Sequence, residues 1–378
     1  SRGIGDFYKL LQMDRGYIFV NKSHLVSNLN YLSDLTKKEL CLVVKANAYG
    51  HGIQWTVKTA EEAGISWFAV ASVNEAIQVR NISKGARILL LAEPSKSQIK
   101  NVLKNEIDLT VYNEEFIDEL INVEGNLNVH LKVDTGMHRI GCEPENFDKL
   151  MEKIQTSSLN LVGICTHFPT ADTDEQYTQS ALNLFKALIS GHDTDGLLLH
   201  VDNSASSFYN SDDSFNMTRI GLAAYGTQIS IKNYDHNLMP TMEIKTRISN
   251  LQKRNKGDAV SYGKSFELER DSTIATAPIG YGDGYPWNSF PDGHVLVNNK
   301  ICKLIGRVTM DQILIDVTDI EVKVDDEVTV LGKSENGQHE ITVTDIAQWN
   351  KTIEWEILTN MSRSCLLYTS DAADDVRS

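Results

Sequence analysis

The chain has 378 residues, 41% hydrophobic and 23% charged, with a formal net charge of −15. That length buries a large core and points to two domains, while the acidity argues against a binder that tracks nucleic-acid phosphates, which needs a basic face. The five cysteines (Cys41, Cys142, Cys165, Cys302, Cys365) lack CxxC or His-interleaved spacing, so neither a disulfide framework nor a metal site is expected, and a reducing, cytoplasmic compartment fits.

In chain order, residues 1–15 read as a lead-in, and the opening on Ser1 rather than Met is consistent with a piece of something longer. No run approaches the roughly 20 apolar residues of a membrane helix and no signal peptide is visible, so no membrane contact is expected within this chain. A short strand is predicted at 17–21, then a helix at 22–38 with Leu25, Leu29 and Leu32 on one face. Eight apolar strand candidates follow at 40–44, 67–71, 87–91, 109–112, 129–133, 161–166, 197–201 and 220–224, separated by helix-like segments. Continuous rather than alternating hydrophobicity suits parallel strands buried on both faces, and eight strand–helix units predict a (β/α)8 TIM-type barrel. A doubly wound open sheet would carry fewer strands and a Gly-rich dinucleotide turn. After about Asn237 the runs at 242–248, 273–278, 294–297, 303–308, 313–317 and 327–331 are short and broken by Gly, Asn and Asp, and helical pattern returns only at 343–349. This is a mostly antiparallel β-domain. The expected organisation is a barrel over 16–237, a β-domain over 238–363, and a disordered or non-native tail over 364–378.

The most informative stretch is Val43-Val44-Lys45-Ala46-Asn47-Ala48-Tyr49-Gly50-His51-Gly52. It places a lysine where a buried strand runs out. Loss of hydration there favours the neutral amine that attacks an aldehyde, and a turn with Asn47, Gly50 and Gly52 lets backbone N–H groups approach a phosphate. Lysine beside a phosphate cradle is the chemistry of pyridoxal 5'-phosphate. A lone lysine after a core strand is most often a surface residue; the whole string is what changes the reading. In a barrel, functional side chains gather at the carboxyl ends of the strands. Those ends here carry Lys132-Val133-Asp134-Thr135-Gly136-Met137-His138-Arg139, Thr166-His167-Phe168, His200-Val201-Asp202-Asn203-Ser204-Ala205, and Arg219 before Gly221 and Leu222. The second region adds Val260-Ser261-Tyr262-Gly263, Ile279-Gly280-Tyr281-Gly282-Asp283-Gly284-Tyr285-Pro286 and Gly306-Arg307-Val308-Thr309-Met310-Asp311-Gln312.

In order and wording these motifs resemble the alanine racemase family, from about residue 16 to residue 360. The resemblance implies a pyridoxal-phosphate-dependent racemase that interconverts L- and D-alanine by a two-base mechanism, supplies D-alanine for peptidoglycan precursors and works as a homodimer with shared active sites. It implies Lys45 as the lysine that holds the cofactor and acts as one base, and Tyr262 of the partner subunit as the other. Tyr49, Ser204, Gly221 and Leu222 match phosphate-binding positions. Arg219 matches the arginine facing the pyridine nitrogen and His167 the histidine behind it, a pair whose charge would bring a tyrosine with an ordinary value near 10 into range as a base. Arg139 and the Met310 backbone match substrate-carboxylate contacts, Tyr281 a tyrosine lining the site from the partner, and Lys132 a lysine often carbamylated in the family.

Three positions depart from the family pattern. Trp355 stands where Tyr-Glu-Ile-Leu normally has its tyrosine, a phosphate donor that borders the substrate pocket, so phosphate grip and side-chain selectivity both turn on an indole. Trp287 replaces the arginine of Gly-Tyr-Pro-Arg, and Arg363-Ser364-Cys365 replaces the closing Arg-Val-Pro-Arg. The altered Trp355 position and the Ser1 start leave open a serine racemase domain of a vancomycin-resistance type membrane protein. A non-catalytic pyridoxal-phosphate-binding protein is the reading from another class; it would not require the domain carrying Tyr262.

Overall fold

The computed structural model describes residues 15–210, 212–227, 237–361 and 366–369. They fall into two units, one of residues 23–48 and 53–239, the other of 15–22, 49–52 and the chain from 240 onward.

The first strand, β1 (Gly16–Val20), belongs to the second unit: it pairs antiparallel with a strand at Met242–Arg247. The sequence reading had placed it in the barrel domain. Nothing in the local pattern says which sheet a strand joins, because its partner lies more than 220 residues away. The barrel is built from β2 (Glu39–Val43), β3 (Trp67–Val70), β4 (Arg87–Leu90), β5 (Asp108–Val111), β6 (Asn128–Lys132), β7 (Asn160–Cys165), β8 (Leu198–His200) and β9 (Met217–Ile220). They run in the order β8-β7-β6-β5-β4-β3-β2-β9, every pair parallel. The last seam, between β8 and β9, is closed by hydrogen bonds at its flanks: the Leu199 N–H donates to Asn216 Oδ1 (2.8 Å), the Asn216 N–H to the Leu199 carbonyl (3.2 Å) and the Arg219 N–H to the Asp202 carbonyl (3.2 Å). β3, β5 and β9 are buried at every position, as strands covered on both faces must be. The eighth strand thus ends at Ile220, where it was expected to begin; residues 221–226 form the turn after it. That turn is as apolar as a strand, with Leu222, Ala223 and Ala224 all buried, so burial masqueraded as strand pattern.

The covering helices are α1 (Lys22–Thr36), α2 (Ile53–Glu62), α3 (Val73–Ile82), α4 (Ile99–Lys104), α5 (Glu114–Ile121), α6 (Phe147–Gln155) and α7 (Glu175–Ile189). Their starts follow from local chemistry. Ser72 and Glu75 form a capping box at α3, Asn113 caps α5, and Asp174 accepts the Tyr177 N–H at α7, each satisfying donors that a helix start leaves unpaired.

The second unit holds β10 (Met242–Arg247), β11 (Asn250–Arg254), β12 (Ala259–Val260), β13 (Phe266–Glu267), β14 (Ser272–Ala277), β15 (His294–Val297), β16 (Lys300–Lys303), β17 (Ile313–Asp316), β18 (Glu327–Lys333), β19 (Glu340–Ile341) and β20 (Leu366–Thr369), with α8 (Val343–Asn350) and α9 (Glu354–Asn360). One sheet has the order β16-β15-β18-β10-β1-β20, with β19 on β18; a second is β11-β14-β17, and β12 pairs β13. β10 and β17 alternate buried and half-buried residues, the mark of a sheet with one covered face. β20 corrects the expectation of a disordered tail: residues 366–369 pair in parallel with β1, Tyr17 opposite Leu366. An unpaired edge accepts a short run of apolar residues readily. The rest of the tail expectation, including Cys365, lies outside the described residues.

Candidate active site

β2 delivers Lys45 to the carboxyl end of the barrel. Leu40 to Val44 are buried and Lys45 is half-buried. Burial, then the Arg139 guanidinium, holds the Lys45 amine below its ordinary value, and Glu75 opposes them. The Gly-containing turn expected after it begins with residues other than glycine. Ala46, Asn47, Ala48 and Tyr49 all have φ between 52° and 55°, and glycine enters only at Gly50. This is one turn of left-handed helix made from L-residues, a conformation costing about 1–2 kcal/mol per residue. Tyr49, at its end, clusters with the second unit and is buried, which pushes its hydroxyl up to about 12. It is therefore a donor and not a base.

Around Lys45 the barrel unit gathers cations. Arg219, on β9, is buried; it donates Nη1 to the His200 carbonyl (2.8 Å) and to His200 Nδ1 (2.6 Å), and Nη2 to the Thr166 carbonyl (2.7 Å) and the Val201 carbonyl (3.3 Å). His167 Nδ1 lies 3.4 Å from Arg219 Nη2. Burial, then Arg219, Lys132, Arg139 and Lys45, holds His167 well below its ordinary value, so it is neutral. That corrects the expectation of a cationic His167–Arg219 pair: the charge resides on the arginine alone. Lys132 ends β6 and is buried; burial brings its amine down to about 8, against the pull of Cys165 and with help from Arg219 and Arg139.

Ser204, Gly221 and Leu222 are also brought together. Ser204 Oγ accepts the Gly221 N–H (3.0 Å) and the Ala223 N–H (3.3 Å), with the Leu222 N–H between them in the chain. Asn203 and Asp202 hold this loop. Asn203 Oδ1 accepts the Ala205 and Ser206 N–H groups, and Asp202 Oδ1 accepts the Ser206 hydroxyl and the Asn210 amide. Asp202 Oδ2 pairs with Lys38 at 3.0 Å, both side chains buried.

Sequence reading missed what lies beneath Arg219. His200 Nε2 is 2.9 Å from His130 Nδ1, and His130 Nε2 is 3.5 Å from Asp108 Oδ2. All three residues are completely buried inside the barrel. Arginine can only donate, so His200 Nδ1 must accept, His200 Nε2–H must donate to His130 Nδ1, and His130 carries its proton toward Asp108. Burial lowers both histidines, which are neutral. Asp108 is in turn paired with Arg87 and accepts from the Asn128 amide at 2.9 Å. Gly163 makes room for the column: a Cβ there would lie 2.5 Å from His130 Nδ1. A signal existed, since Asp108 and His130 stand among apolar residues in strands of a barrel buried on both faces, where burial demands a partner.

The second unit presents Tyr262, Tyr281 and Met310 on interlocking loops. The Tyr281 N–H donates to the Thr309 carbonyl (3.0 Å), the Gly282 N–H to the Met310 carbonyl (2.8 Å), and the Ser261 hydroxyl to the Arg307 carbonyl (2.8 Å). Arg15 braces two of these loops, donating to Asp311 Oδ1 and to its carbonyl (both 2.9 Å) and to Asp283 Oδ2 (3.3 Å). Tyr262 is 73% exposed, Met310 55% and Tyr281 42%. Trp287 is also exposed, with the Arg307 guanidinium 5.8 Å from its ring centroid. Trp355 lies in the first turn of α9, half-buried, its carbonyl accepting the Thr359 hydroxyl (2.7 Å).

Comparison with known proteins agrees over most of the chain. Residues 20–229 match the family model for the alanine racemase N-terminal domain, and 241–367 that for the alanine racemase C-terminal domain. The chain is 37% identical to an alanine racemase of Halothermothrix orenii over 359 residues, covering 91% of this chain and 94% of that one. It is 32% identical to an alanine racemase of Clostridium novyi, covering 91% and 92%. Among solved structures, the alanine racemase from E. faecalis matches with TM-score 0.88 at 30% identity, covering 95% of this chain and 99% of that one. The alanine racemase from Bacillus anthracis with bound L-Ala-P matches with TM-score 0.85 at 31% identity, covering 94% and 95%.

Proposed function

The chain belongs to the alanine racemase family, a pyridoxal-phosphate-dependent family, and from that premise we propose that Lys45 and Tyr262 exchange the Cα proton of alanine across two faces of one site shared by a homodimer. The observation that carries the reading is Lys45 itself, a desolvated amine at a barrel strand's carboxyl end, held below its ordinary value beside Arg139.

The residues fit the cofactor. A lysine short of hydration suits an aldehyde, the cluster of Arg139, Arg219 and Lys132 suits a ligand of several negative charges, and the Gly221 and Ala223 N–H groups converge at Ser204 where a phosphate would sit. Lys45, Tyr49, Ser204, Gly221, Leu222 and Trp355 would hold it, with Arg219 facing its ring nitrogen and His167 behind. When bound, pyridoxal phosphate joins the amino acid through its aldehyde and withdraws electron density from Cα, making that proton removable. Lys45 Nζ would take the proton as the free amine, or return it as the ammonium, on one face. Tyr262 Oη of the other subunit serves the opposite face. The Arg139 guanidinium and the Met310 backbone hold the substrate carboxylate, and Tyr281 closes the site. Arg219 does not give up its proton, so facing the ring nitrogen it would donate a hydrogen bond without protonating it and would weaken the electron sink. Lys132, brought down to about 8, keeps about a tenth of its amines neutral at pH 7; that is the form that reacts with carbon dioxide, and carbamylation would place a negative charge beside Arg139.

The exposure of Tyr262, Tyr281 and Met310 supports the dimer, since aromatic groups standing out together mark an interaction surface. Among the described residues no helix is long and apolar enough to cross a membrane. We place the enzyme in the cytoplasm, where the free, buried Cys41, Cys142, Cys165 and Cys302 fit a reducing environment. Neither the serine racemase of vancomycin resistance nor the non-catalytic carrier is favoured by any observation.

The test is complementation. Lys45→Ala and Tyr262→Phe should each be nearly inactive when pure. Co-expressed, they form mixed dimers in which one site is wholly mutant and the other wholly intact, so activity returns to about half the wild-type value per mixed dimer. Mixed dimers confirmed by mass spectrometry that recover nothing would refute the shared site. A D/L product assay with alanine and serine side by side fixes the substrate.

A further inference from the structure

Four consecutive left-handed residues without glycine are strained, so the turn behind Lys45 needs an external restraint. Ala48 and Tyr49 are buried but Ala46 and Asn47 are exposed, so packing does not restrain the half of the turn next to Lys45. Hydrogen bonds do. The Ala48 N–H reaches the Val44 carbonyl (2.9 Å), and Asn47 Oδ1 accepts the Ile53 N–H (2.9 Å). The Ala46 N–H, next in chain to Lys45, donates to Glu75 Oε1 at 2.7 Å. Glu75 belongs to α3, one β/α unit away. Its other oxygen, Oε2, accepts the N–H groups of Ala71 (3.0 Å) and Ser72 (3.1 Å) and the Ser72 hydroxyl (3.2 Å). A capping box accounts for Oε2 alone. The reach of Oε1 to the residue beside Lys45 is left over.

We propose that Glu75 is a positioning residue for Lys45: its carboxylate pins the Ala46 N–H to the start of α3, holds the left-handed turn and so the direction of the lysine, and supplies the negative charge that faces its amine. The charges acting on that amine agree with the geometry. Arg139 works against its protonation and Glu75 for it, while Lys45 itself presses on His167. With the carboxylate in place, the lysine is aimed from a rigid backbone and keeps enough proton affinity to act as a base. The inference rests on the reading of Lys45 as the cofactor lysine.

The experiment uses the full chain, stripped of cofactor with hydroxylamine and verified as folded by circular dichroism. Competitive acetylation of Lys45 by acetic anhydride is followed from pH 6 to 11 by mass spectrometry of its peptide. Glu75→Gln should lower the midpoint of Lys45 reactivity by a few tenths to about one pH unit. It should also slow the return of the visible absorbance on adding pyridoxal phosphate by about fivefold or more. Glu75→Asp, which keeps the charge on a shorter stem, should restore part of the midpoint. Ser72→Ala, which removes the rest of the capping box without touching Ala46, should move neither quantity. If Glu75→Gln matches wild type in both, or Ser72→Ala moves both as far, the carboxylate is only a helix cap and the proposal falls. Borohydride reduction of the loaded wild type separates the two claims. A cofactor label on a lysine other than Lys45 overturns the underlying reading as well, whereas a label on Lys45 with Glu75→Gln unchanged overturns Glu75 alone.

Discussion

The barrel and the second unit hold their functional groups in opposite conditions. In the barrel, Arg219, Lys132, His130, His200 and Asp108 are buried, and burial lowers the proton affinity of Lys132, His130 and His200. On the second unit, Tyr262, Tyr281 and Met310 stand largely in solvent on loops held by backbone hydrogen bonds, the Ser261 hydroxyl and the Arg15 guanidinium. A buried group has its proton affinity set by its own fold. An exposed one presents its shape to whatever binds it. The barrel therefore holds its groups in fixed surroundings, while the second unit presents its own to solvent, an arrangement that fits the proposed site shared between subunits.

The sharpest way to break this contrast is to remove one group from each side. Arg219→Ala should cost both activity and fold. It strips donors from His200 Nδ1 and from the carbonyls of Thr166, His200 and Val201, at about 1–3 kcal/mol for each buried group left unsatisfied. Tyr262→Ala should abolish racemisation yet stay within about 0.5 kcal/mol of wild type. Urea unfolding of the two variants decides; equal destabilisation would erase the distinction.

A smaller effect concerns Lys132. Its depression from 10.5 to about 8 corresponds to about 3 kcal/mol. Below pH 8 the buried amine is charged and this penalty acts in full. Between about 8 and 10.5 the unfolded chain binds a proton that the folded one does not, so stability rises with pH across that window. In carbonate-free buffer, the stability deficit of wild type against Lys132→Met should shrink by that amount over the window. A deficit that stays constant would show that the lysine is already modified or better solvated.

Ser204→Ala removes the acceptor for the Gly221 and Ala223 N–H groups and should weaken pyridoxal phosphate about tenfold, near the 0.5–1.5 kcal/mol of one neutral hydrogen bond, as read by equilibrium dialysis. The smallest change expected is at Trp355. Trp355→Tyr should raise the alanine-to-serine ratio of kcat/KM by up to about tenfold, or 1.4 kcal/mol. An unchanged ratio removes Trp355 from substrate selection.

What the sequence by itself determined was whatever periodicity and motif wording carry over short spans. Continuous apolar runs located seven barrel strands within a residue or two, and the string around Lys45 named the chemistry. Tertiary structure decided what depends on residues far apart in the chain. β1 and β20 joined the larger sheet of the second unit through partners more than 220 residues away in the chain, a fact no local pattern holds. The turn after Lys45 is left-handed from Ala46 to Tyr49, and its first N–H is held by Glu75, about thirty residues on. His167 lost its charge because four cations and a low-dielectric interior surround it, and the direction of the Arg219–His200–His130 chain followed from contacts among three strands. Proton affinity and strain are properties of surroundings, and surroundings exist only once the chain has folded.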